Sequence, residues 1–304
     1  MNPSNRSFGA HMSIAGGYHL AVRAAHDAGM QTVQLFTKSN NQWRAKPLTS
    51  DDISLFRAAL KETGIRNPVS HASYLINLAS PDDTLWQKSI ESMIVEVQRA
   101  AALGIRDVVL HPGAHMGAGE DAGLTRVAHA LDAVCAATES CNVTIDLEST
   151  AGQGTCLGHR LRHLSTIREQ TKSPRRVAFC LDTCHLFAAG YTMRDPVAYN
   201  GLVRDIKATI GLSRVRIWHL NDSCKACGSR VDRHAGIGLG MMGLEPFRFI
   251  LNDPHFQRVP MILETPKGTE NGVDLDIINL NTLRNLINPP APAPKKRKPR
   301  RPPR

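Results

Sequence analysis

The chain carries a regular series of histidine and carboxylate residues, each closing a short apolar run typical of a β-strand. Six residues form this series: His71, His111, Glu148, Asp182, His219 and Glu264. By subtraction of residue numbers, the intervals are 40, 37, 34, 37 and 45 residues, about the length of one strand-plus-helix unit. Parallel strands in a barrel end at one mouth, where such folds place their chemistry. The series therefore predicts a (β/α) barrel with a multi-metal site at that mouth.

Eight strand-like segments alternate with helical patterns along the chain. The strand candidates cover residues 8–13, 32–37, 68–74, 107–113, 143–148, 177–182, 215–221 and 261–265. Most are rich in Val, Ile and Leu without strict alternation, as expected for parallel strands covered on both faces. Helical patterns cover 51–64, 82–104, 120–141, 158–170, 196–211, 244–251 and 275–287. We predict an α/β fold, one closed (β/α)8 barrel over residues 1–288. An open doubly wound sheet is the structural alternative.

The C-terminal segment 289–304 differs from the rest of the chain. It holds seven Lys and Arg residues, seven Pro and no acid, and so supplies seven of the ten net positive charges. Its composition predicts a disordered tail, because seven prolines in sixteen residues exclude a helix. The tail could be a nuclear localisation signal, an additional DNA anchor or a segment without a role.

Composition also indicates where the protein acts. The first residues do not resemble a signal peptide, and no run of about 18 apolar residues is present, so no membrane association is expected. Seven cysteines, an odd number, fit a reducing compartment better than a disulfide framework. We expect a cytoplasmic, nucleoid-associated protein, or a nuclear one if the host has a nucleus.

Three further potential ligands fall outside the regular series. His185 follows Asp182 by three residues, and Asp232 and His234 lie two apart in the long irregular stretch 222–243. Histidine and carboxylate ligands without thiolate suit catalytic zinc or manganese. Nine ligands exceed what one tetrahedral ion needs, so two or three metal ions are expected. Clustered metal ions are typical of in-line displacement at phosphorus.

Long motifs in the chain resemble the endonuclease IV family of apurinic/apyrimidinic (AP) endonucleases, which act in base excision repair. The segments are GAHMSIAGG (9–17), LFTKSNNQWR (35–44), HASYLINLASP (71–81), HPGAH (111–115), LESTAGQG (147–154), CLDTCHLFAAGY (180–191), HLNDS (219–223), GSRVDRHAGIGLG (228–240) and ILETP (262–266). The resemblance covers residues 8–287. It implies a TIM barrel, a monomer, and three zinc ions per chain, with manganese as an alternative at some sites.

The resemblance also implies how the ligands are shared and what reaction they serve. The three sets would be His71, His111 and Glu148; Glu148, Asp182, His219 and Glu264; and His185, Asp232 and His234. The substrate would be duplex DNA with an abasic site, cut on its 5′ side to leave a 3′-hydroxyl and a 5′-deoxyribose phosphate. A metal-bound hydroxide would attack phosphorus, and Glu148 would be the catalytic residue that orients it or accepts its proton.

Five residues are expected to contact DNA. Tyr74 and Leu75 match family positions that insert into the duplex, and apolar wedges commonly hold such kinks open; otherwise they would only pack on the barrel rim. Asn41 stands where the family commonly has Arg, so Lys38 or Arg44 could replace that contact.

Two other functions remain open at this point. A sugar isomerase on a similar barrel also uses His and carboxylate ligands, although it needs fewer of them. A non-enzymatic nucleic-acid binder would not need the full ligand set. Cys184 is expected to be a packing residue, because no side-chain nucleophile is required.

Overall fold

The computed structural model describes residues 6–288, in which twelve strands are found. They are β1 (Phe8–Ala10), β2 (Gln34–Phe36), β3 (Val69–His71), β4 (Asp107–Leu110), β5 (Thr144–Glu148), β6 (Val177–Asp182), β7 (Val215–His219), β8 (Asp222–Ser223), β9 (His234–Ala235), β10 (Met261–Leu263), β11 (Thr269–Glu270) and β12 (Val273–Asp274). Strands β1 to β7 and β10 form one parallel sheet; the other four make two small antiparallel pairs in loops.

The parallel sheet closes on itself. Its strand order is β1-β10-β7-β6-β5-β4-β3-β2, so β1 and β2 are the two ends. A parallel bridge between His11 and Gln34 joins these ends, and the Met12 N–H donates to the Gln34 carbonyl oxygen at 2.8 Å. Gly9 permits this closure, because a Cβ there would lie 2.6 Å from the Thr32 carbonyl oxygen. The predicted TIM barrel is confirmed, and the open sheet is wrong.

Helices surround the barrel. In the described residues they are α1 (Tyr18–Asp27), α2 (Ser50–Thr63), α3 (Asp83–Leu103), α4 (Glu120–Ala137), α5 (Leu161–Gln170), α6 (Thr183–Ala188), α7 (Pro196–Thr209), α8 (Glu245–Asn252) and α9 (Leu275–Asn285). The seven predicted helices are present: α2 and α8 are shifted by one residue and the other five are shorter than predicted. Helices α1 and α6 were not predicted. No helix among residues 6–288 has the length and apolar character that crossing a membrane would require.

The barrel interior is filled below its mouth. A small apolar cluster inside the barrel combines Val69, Val109, Cys180, Ile217 and Ile262, one from each of five strands. The larger cluster lies between strands and helices and includes Trp218, Phe56 and Phe247 among its buried side chains. Because the interior is packed, polar chemistry is confined to the ends of the strands.

The strand ends place the predicted series of ligands in one ring. His71, Glu148, Asp182 and His219 are the last residues of their strands, and His111 and Glu264 directly follow β4 and β10. Asp182 pairs in register with His219, which fixes neighbouring ligands at the same height. The predicted tail at 289–304 lies outside the described residues.

Candidate metal centre

All nine predicted ligands meet at the carboxyl-terminal mouth of the barrel. The ring of strand ends supplies six of them, and α6 supplies His185. The loop between β8 and β9 supplies Asp232, and His234 is the first residue of β9. Most of these side chains are buried, and Glu148, Asp182 and His219 have no exposed surface. Buried ionisable groups are costly unless they are paired or bind metal ions. Such a concentration therefore indicates a built site.

Glu148 lies at the middle of the centre, with each carboxylate oxygen facing different imidazoles. Its Oε2 is 3.2 Å from His71 Nε2 and 3.0 Å from His111 Nε2. Its Oε1 is 3.0 Å from His219 Nδ1 and 3.3 Å from His185 Nδ1. A carboxylate in this position can bridge two metal ions. Tetrahedral zinc with ligands at about 2.0–2.1 Å separates neighbouring ligand atoms by roughly 3.3 Å, close to these distances.

A second set of carboxylates continues the centre from Glu148. Glu264 Oε2 lies 3.2 Å from His219 Nδ1, and Asp182 Oδ2 lies 4.0 Å from the same nitrogen. Asp182 Oδ2 is also 3.8 Å from His234 Nε2, so this set adjoins the loop-borne ligands. His219 thus faces three carboxylates with one ring nitrogen.

The third set comes from the region outside the regular series. Asp232 Oδ2 is 3.1 Å from His185 Nε2, and Asp232 Oδ1 is 3.2 Å from His234 Nε2. Asp232 is the most exposed of the nine ligands at 40%. This set therefore lies nearest to solvent, above the buried pair of sets.

The protonation of the histidines fits metal binding. The Nδ1 atoms of His71, His185 and His234 lie 2.7 to 3.1 Å from the carbonyl oxygens of Ala72, Ser149 and Glu264. A carbonyl oxygen only accepts, so each Nδ1 carries the proton and each Nε2 keeps its lone pair. Zinc-binding histidines are usually fixed in this manner.

His234 provides a direct test of whether a metal ion fits. Its Nε2 is buried and lies 3.2 Å from Asp232 Oδ1, but it makes no hydrogen bond among residues 6–288. Leaving such an atom without a partner costs about 1–3 kcal/mol, a cost that a cation held by Nε2 and by the Asp232 carboxylate would remove. The donor set is wholly nitrogen and oxygen, which suits zinc or manganese.

The pKa shifts of Glu148 and His234 also indicate that this site stabilises negative charge on Glu148 and positive charge beside it. Burial favours a raised pKa for Glu148, but the charges of His219 and His111 outweigh burial and hold its pKa well below the usual range. Burial favours a lowered pKa for His234, but the neighbouring carboxylates of Asp232 and Asp182 outweigh burial and raise the pKa to about 9. The Glu148 carboxylate is thus stabilised as the anion, the form that binds cations.

Three residues outside the predicted ligand set support the ligands. Asn221 Nδ2 donates to Asp182 Oδ2 at 2.6 Å, and its Oδ1 accepts from the Glu264 N–H at 2.8 Å. Ser149 Oγ accepts from the Asp182 N–H at 2.9 Å. Gln34, the third, touches both Glu264 and His219. Ser149 and Asn221 lie close to strand-end ligands in the sequence, which was the available signal, whereas Gln34 on β2 offered none. Which ligand each residue would touch depends on tertiary packing.

Cys184 is a packing residue in the structure, as expected. Its side chain is fully buried, and burial raises the pKa of its thiol to about 12. A thiol with this pKa is not a nucleophile at neutral pH, because the thiolate is the reactive form.

Another group of ligand-type side chains lies away from the centre and consists of Glu120, His159 and His163. His163 Nδ1 accepts from the Gly158 N–H at 3.3 Å, so its Nε2 carries the proton that faces Glu120 Oε2. Arg160 also donates to Glu120 Oε2, at 3.1 Å. One imidazole thus lacks a free lone pair, and a guanidinium already neutralises the carboxylate. We interpret this group as a hydrogen-bonded network that joins α4 to α5.

The residues expected to contact DNA lie on the rim of the same mouth, with one exception. Tyr74 is 57% exposed, and its ring centroid is 5.2 Å from that of His71 and 5.8 Å from that of His111. Asn41 and Arg44 are exposed, and Leu75 is half-buried. Lys38 is the exception, since it is only 4% exposed.

The sequence places this fold and site among known proteins. A family described as "Xylose isomerase-like TIM barrel" matches residues 22–288, and the chain belongs to that class of barrels. It is 48% identical over 280 residues to the "Probable endonuclease 4" of Chloroflexus aurantiacus, covering 92% of this chain and 98% of that protein. It is 46% identical over 283 residues to that of Geobacter sulfurreducens, covering 93% and 95%. The chain is therefore a member of the endonuclease IV family and a nuclease, as its motifs predicted.

Solved structures agree with this assignment. Endonuclease IV from Thermus thermophilus superposes with a TM-score of 0.81 at 35% identity, covering 92% of this chain and 98% of that one. A D-tagatose 3-epimerase-like protein superposes with a TM-score of 0.70 at 16% identity, covering 92% and 96%. At that identity the second likeness shows the fold alone. The sugar-isomerase interpretation is therefore wrong at the level of enzyme class.

Proposed function

We propose that this chain hydrolyses the phosphodiester on the 5′ side of an abasic site in duplex DNA, leaving a 3′-hydroxyl and a 5′-deoxyribose phosphate. The observation that carries the proposal is the set of nine converging ligands, which divides into three groups around Glu148 and Asp182. A centre that holds three metal ions would distinguish a phosphodiester-cleaving enzyme from barrel enzymes that hold only one or two. The endonuclease IV relatives support the nuclease class.

Each group of ligands would hold one zinc ion. The groups are His71, His111 and Glu148; Glu148, Asp182, His219 and Glu264; and His185, Asp232 and His234. Bound divalent ions would lower the pKa of water and offset the negative charge on the phosphate. Manganese is an alternative at some of these positions.

Glu148 is the side chain that we assign to the reaction itself. It is buried between the imidazoles of His71 and His219, and its two oxygens face opposite sides of the centre. From there it would orient the attacking water and accept its proton. Its pKa is held well below the usual range chiefly by His219 and His111 against the effect of burial, so Glu148 is ionised and can accept a hydrogen bond from water.

The mouth of the barrel offers space for an extruded sugar beside the ligands. A cavity of about 330 Å³ is lined by Tyr74, His111, His185 and Asp232, among others. Tyr74 also lines a second cavity on its other side, next to Glu264. An enzyme acting on one nucleotide must take it out of the helix, and an abasic sugar has no base to unpair. We propose that Tyr74 and Leu75 enter the gap that extrusion leaves.

Lys38 does not fit the role of a DNA contact that the sequence suggested. Its ammonium donates to the Gln42 carbonyl oxygen at 3.0 Å and lies 3.5 Å from Glu96 Oε1. Its charge is therefore used inside the protein, where it orders the loop that presents Asn41 and Arg44. We retain those two exposed residues as proposed contacts with the DNA.

Incision of a defined lesion tests the proposal. The substrate is a duplex with one tetrahydrofuran abasic analogue, and the control is the same duplex with an intact nucleotide at that position. We expect a single cut 5′ to the analogue, with a 3′ end that a DNA polymerase can extend. Cleavage of both duplexes at equal rates, or a cut on the 3′ side, would refute the proposed specificity.

The proposed substrate, genomic DNA, also suggests where the protein acts and in what oligomeric state. We propose that the protein acts as a monomer on genomic DNA in the cytoplasm, in association with the nucleoid. Sedimentation of the free protein and of its complex with lesion DNA tests the monomer. A dimer at micromolar concentration would contradict it.

A further inference from the structure

We propose that Gln34 is a positioning residue that fixes which ring nitrogen of His219 binds metal and holds Glu264 against the same site. This inference rests on the proposed use of His219 and Glu264 as ligands. Gln34 lies on β2, one of the two barrel strands whose ends carry none of the nine ligands. Its side chain is fully buried and faces the centre. A buried amide is costly unless its polar atoms are satisfied, so its contacts define its role.

The orientation of the Gln34 amide follows from what its partners can do. One end lies 2.6 Å from Glu264 Oε1. An ionised carboxylate only accepts hydrogen bonds, so this end must be the amide nitrogen. The same nitrogen lies 3.0 Å from His11 Nδ1, which accepts its second hydrogen. The amide oxygen therefore faces the other way, 2.8 Å from His219 Nε2.

This orientation determines the protonation of His219. The Gln34 oxygen only accepts, so His219 Nε2 must carry the proton. The lone pair of the neutral ring is then on Nδ1, which is 3.0 Å from Glu148 Oε1 and 3.2 Å from Glu264 Oε2. In His71, His185 and His234 the proton is on Nδ1, so the lone pair of the neutral ring is on Nε2 instead. His219 therefore differs from these three histidines in which ring nitrogen can bind metal, and the difference is due to Gln34 on β2.

The location of Gln34 at the seam of the barrel adds a second effect. Gln34 forms the backbone bridge with His11 that closes the sheet, so its side chain is anchored where β1 meets β2. From this point one amide spans a ligand on β7 and a ligand that follows β10. Groups that hold metal ligands in this way typically contribute about 10–100-fold to metal affinity.

Substitution of Gln34 by Met tests the proposal, because Met has similar length but cannot hydrogen-bond like an amide. The matched control is Gln87→Met, an exposed amide on α3. Zinc content is measured after dialysis against graded chelator. We expect the wild type and Gln87→Met to retain their ions equally, and Gln34→Met to lose one ion at roughly 10–100-fold lower chelator strength. Equal retention in all three proteins would overturn the proposal.

The wild-type protein offers a test that does not depend on a variant folding. In the zinc-loaded protein with ¹⁵N-labelled histidine, a long-range ¹H–¹⁵N spectrum reports which nitrogen of each ring is protonated. His219 is assigned by its absence in His219→Asn. We expect a protonated Nε2 and a metal-bound Nδ1 for His219; metal on Nε2 would overturn the inference. Neither readout uses DNA, so a failure of the proposed nuclease specificity would leave both results interpretable.

Discussion

At the scale of single residues, the centre depends on side chains that serve several partners at once. Glu148 faces four imidazoles with two oxygens, and its side chain has no exposed surface. Such a residue can be changed in charge with little change in volume. Its contribution to the reaction can therefore be separated from its contribution to folding.

Replacing Glu148 by Gln should preserve the fold and remove most activity. The amide keeps the shape of the side chain but cannot accept a proton, and general-base catalysis typically contributes about 10²–10⁴-fold. Steady-state incision of the abasic-analogue duplex gives kcat, and zinc content and circular dichroism are measured on the same sample. Turnover close to that of the wild type, in a sample with full zinc, would contradict the assignment.

Replacing Tyr74 by Ala should weaken binding of the lesion duplex without reducing zinc content. Stacking of an aromatic ring on a base contributes about 1–3 kcal/mol, so Kd should rise by roughly tenfold or more. Val197→Ala is the matched control, since Val197 is also exposed, at 79%, but lies on α7. An unchanged Kd in Tyr74→Ala would remove Tyr74 from the interface.

The residues of the site differ in how readily the sequence reveals them. The nine ligands are recognisable because each is a His, Asp or Glu at the end of an apolar run or within a long motif. Gln34 carries no such signal, since an amide inside a strand is compatible with many roles. Lys38 was a candidate to replace the Arg that Asn41 displaces, but the sequence could not show that its ammonium lies buried, 3.5 Å from Glu96 Oε1 on α3.

At the scale of elements, the loop from Asp222 to Gly243 is the part of the barrel that distinguishes the third ligand set. Asp222 is fully buried and organises this loop. Its Oδ2 accepts from the N–H groups of Gly238 and Gly240, each at 3.0 Å, and its Oδ1 accepts from that of Met242 at 3.0 Å. A Cβ at Gly240 would lie 2.4 Å from Asp222 Oδ1, so the approach requires glycine.

Asp222→Asn should loosen this loop and weaken the hold on its metal ion. One acceptor oxygen becomes an NH₂ group that meets backbone donors, and an unsatisfied buried group costs about 1–3 kcal/mol. Urea denaturation should show a lower free energy of unfolding by that amount, and chelator should remove one zinc ion earlier. Asp205→Asn, on the exposed face of α7, is the control. Equal stability of the two variants would contradict the role of Asp222.

The elements that were not predicted have weak sequence patterns for physical reasons. Helix α1 buries only the short side chains of Ala21, Val22 and Ala25, and no side chain caps its start, so the sequence offers no start signal and few large apolar residues there. Helix α6 begins directly after β6, with Asp182 accepting from the His185 N–H at 2.7 Å. A residue that ends a strand, caps a helix and faces the metal centre cannot be assigned all three roles from sequence spacing.

At the scale of the whole molecule, the proposed metal ligands and most of the net positive charge lie in different parts of the sequence. The barrel holds the ligands, whereas most of the net positive charge lies in residues 289–304. Duplex DNA attracts such charge without regard to sequence or lesion. The segment should therefore affect binding rather than turnover.

Deleting residues 289–304 should weaken DNA binding at low salt and leave kcat unchanged. The seven charges would be partly engaged, so the slope of log K against log salt should become shallower by about 3. Fluorescence anisotropy at several salt concentrations measures this slope, and incision at saturating DNA measures kcat. A collapse of kcat in the truncated protein would instead place the segment in the catalytic unit.

The proposed activity depends above all on three metal ions, held by nine ligands around Glu148, which would make this barrel a lesion-specific nuclease. The sharpest test is reconstitution of chelator-stripped protein with zero to three or more equivalents of zinc, with bound zinc and the rate of incision 5′ to a tetrahydrofuran site measured on each sample. We predict saturation at about three zinc ions per chain, with full activity only in the fully loaded protein. Full incision with one ion per chain, or with none, would show that the three-metal proposal is wrong.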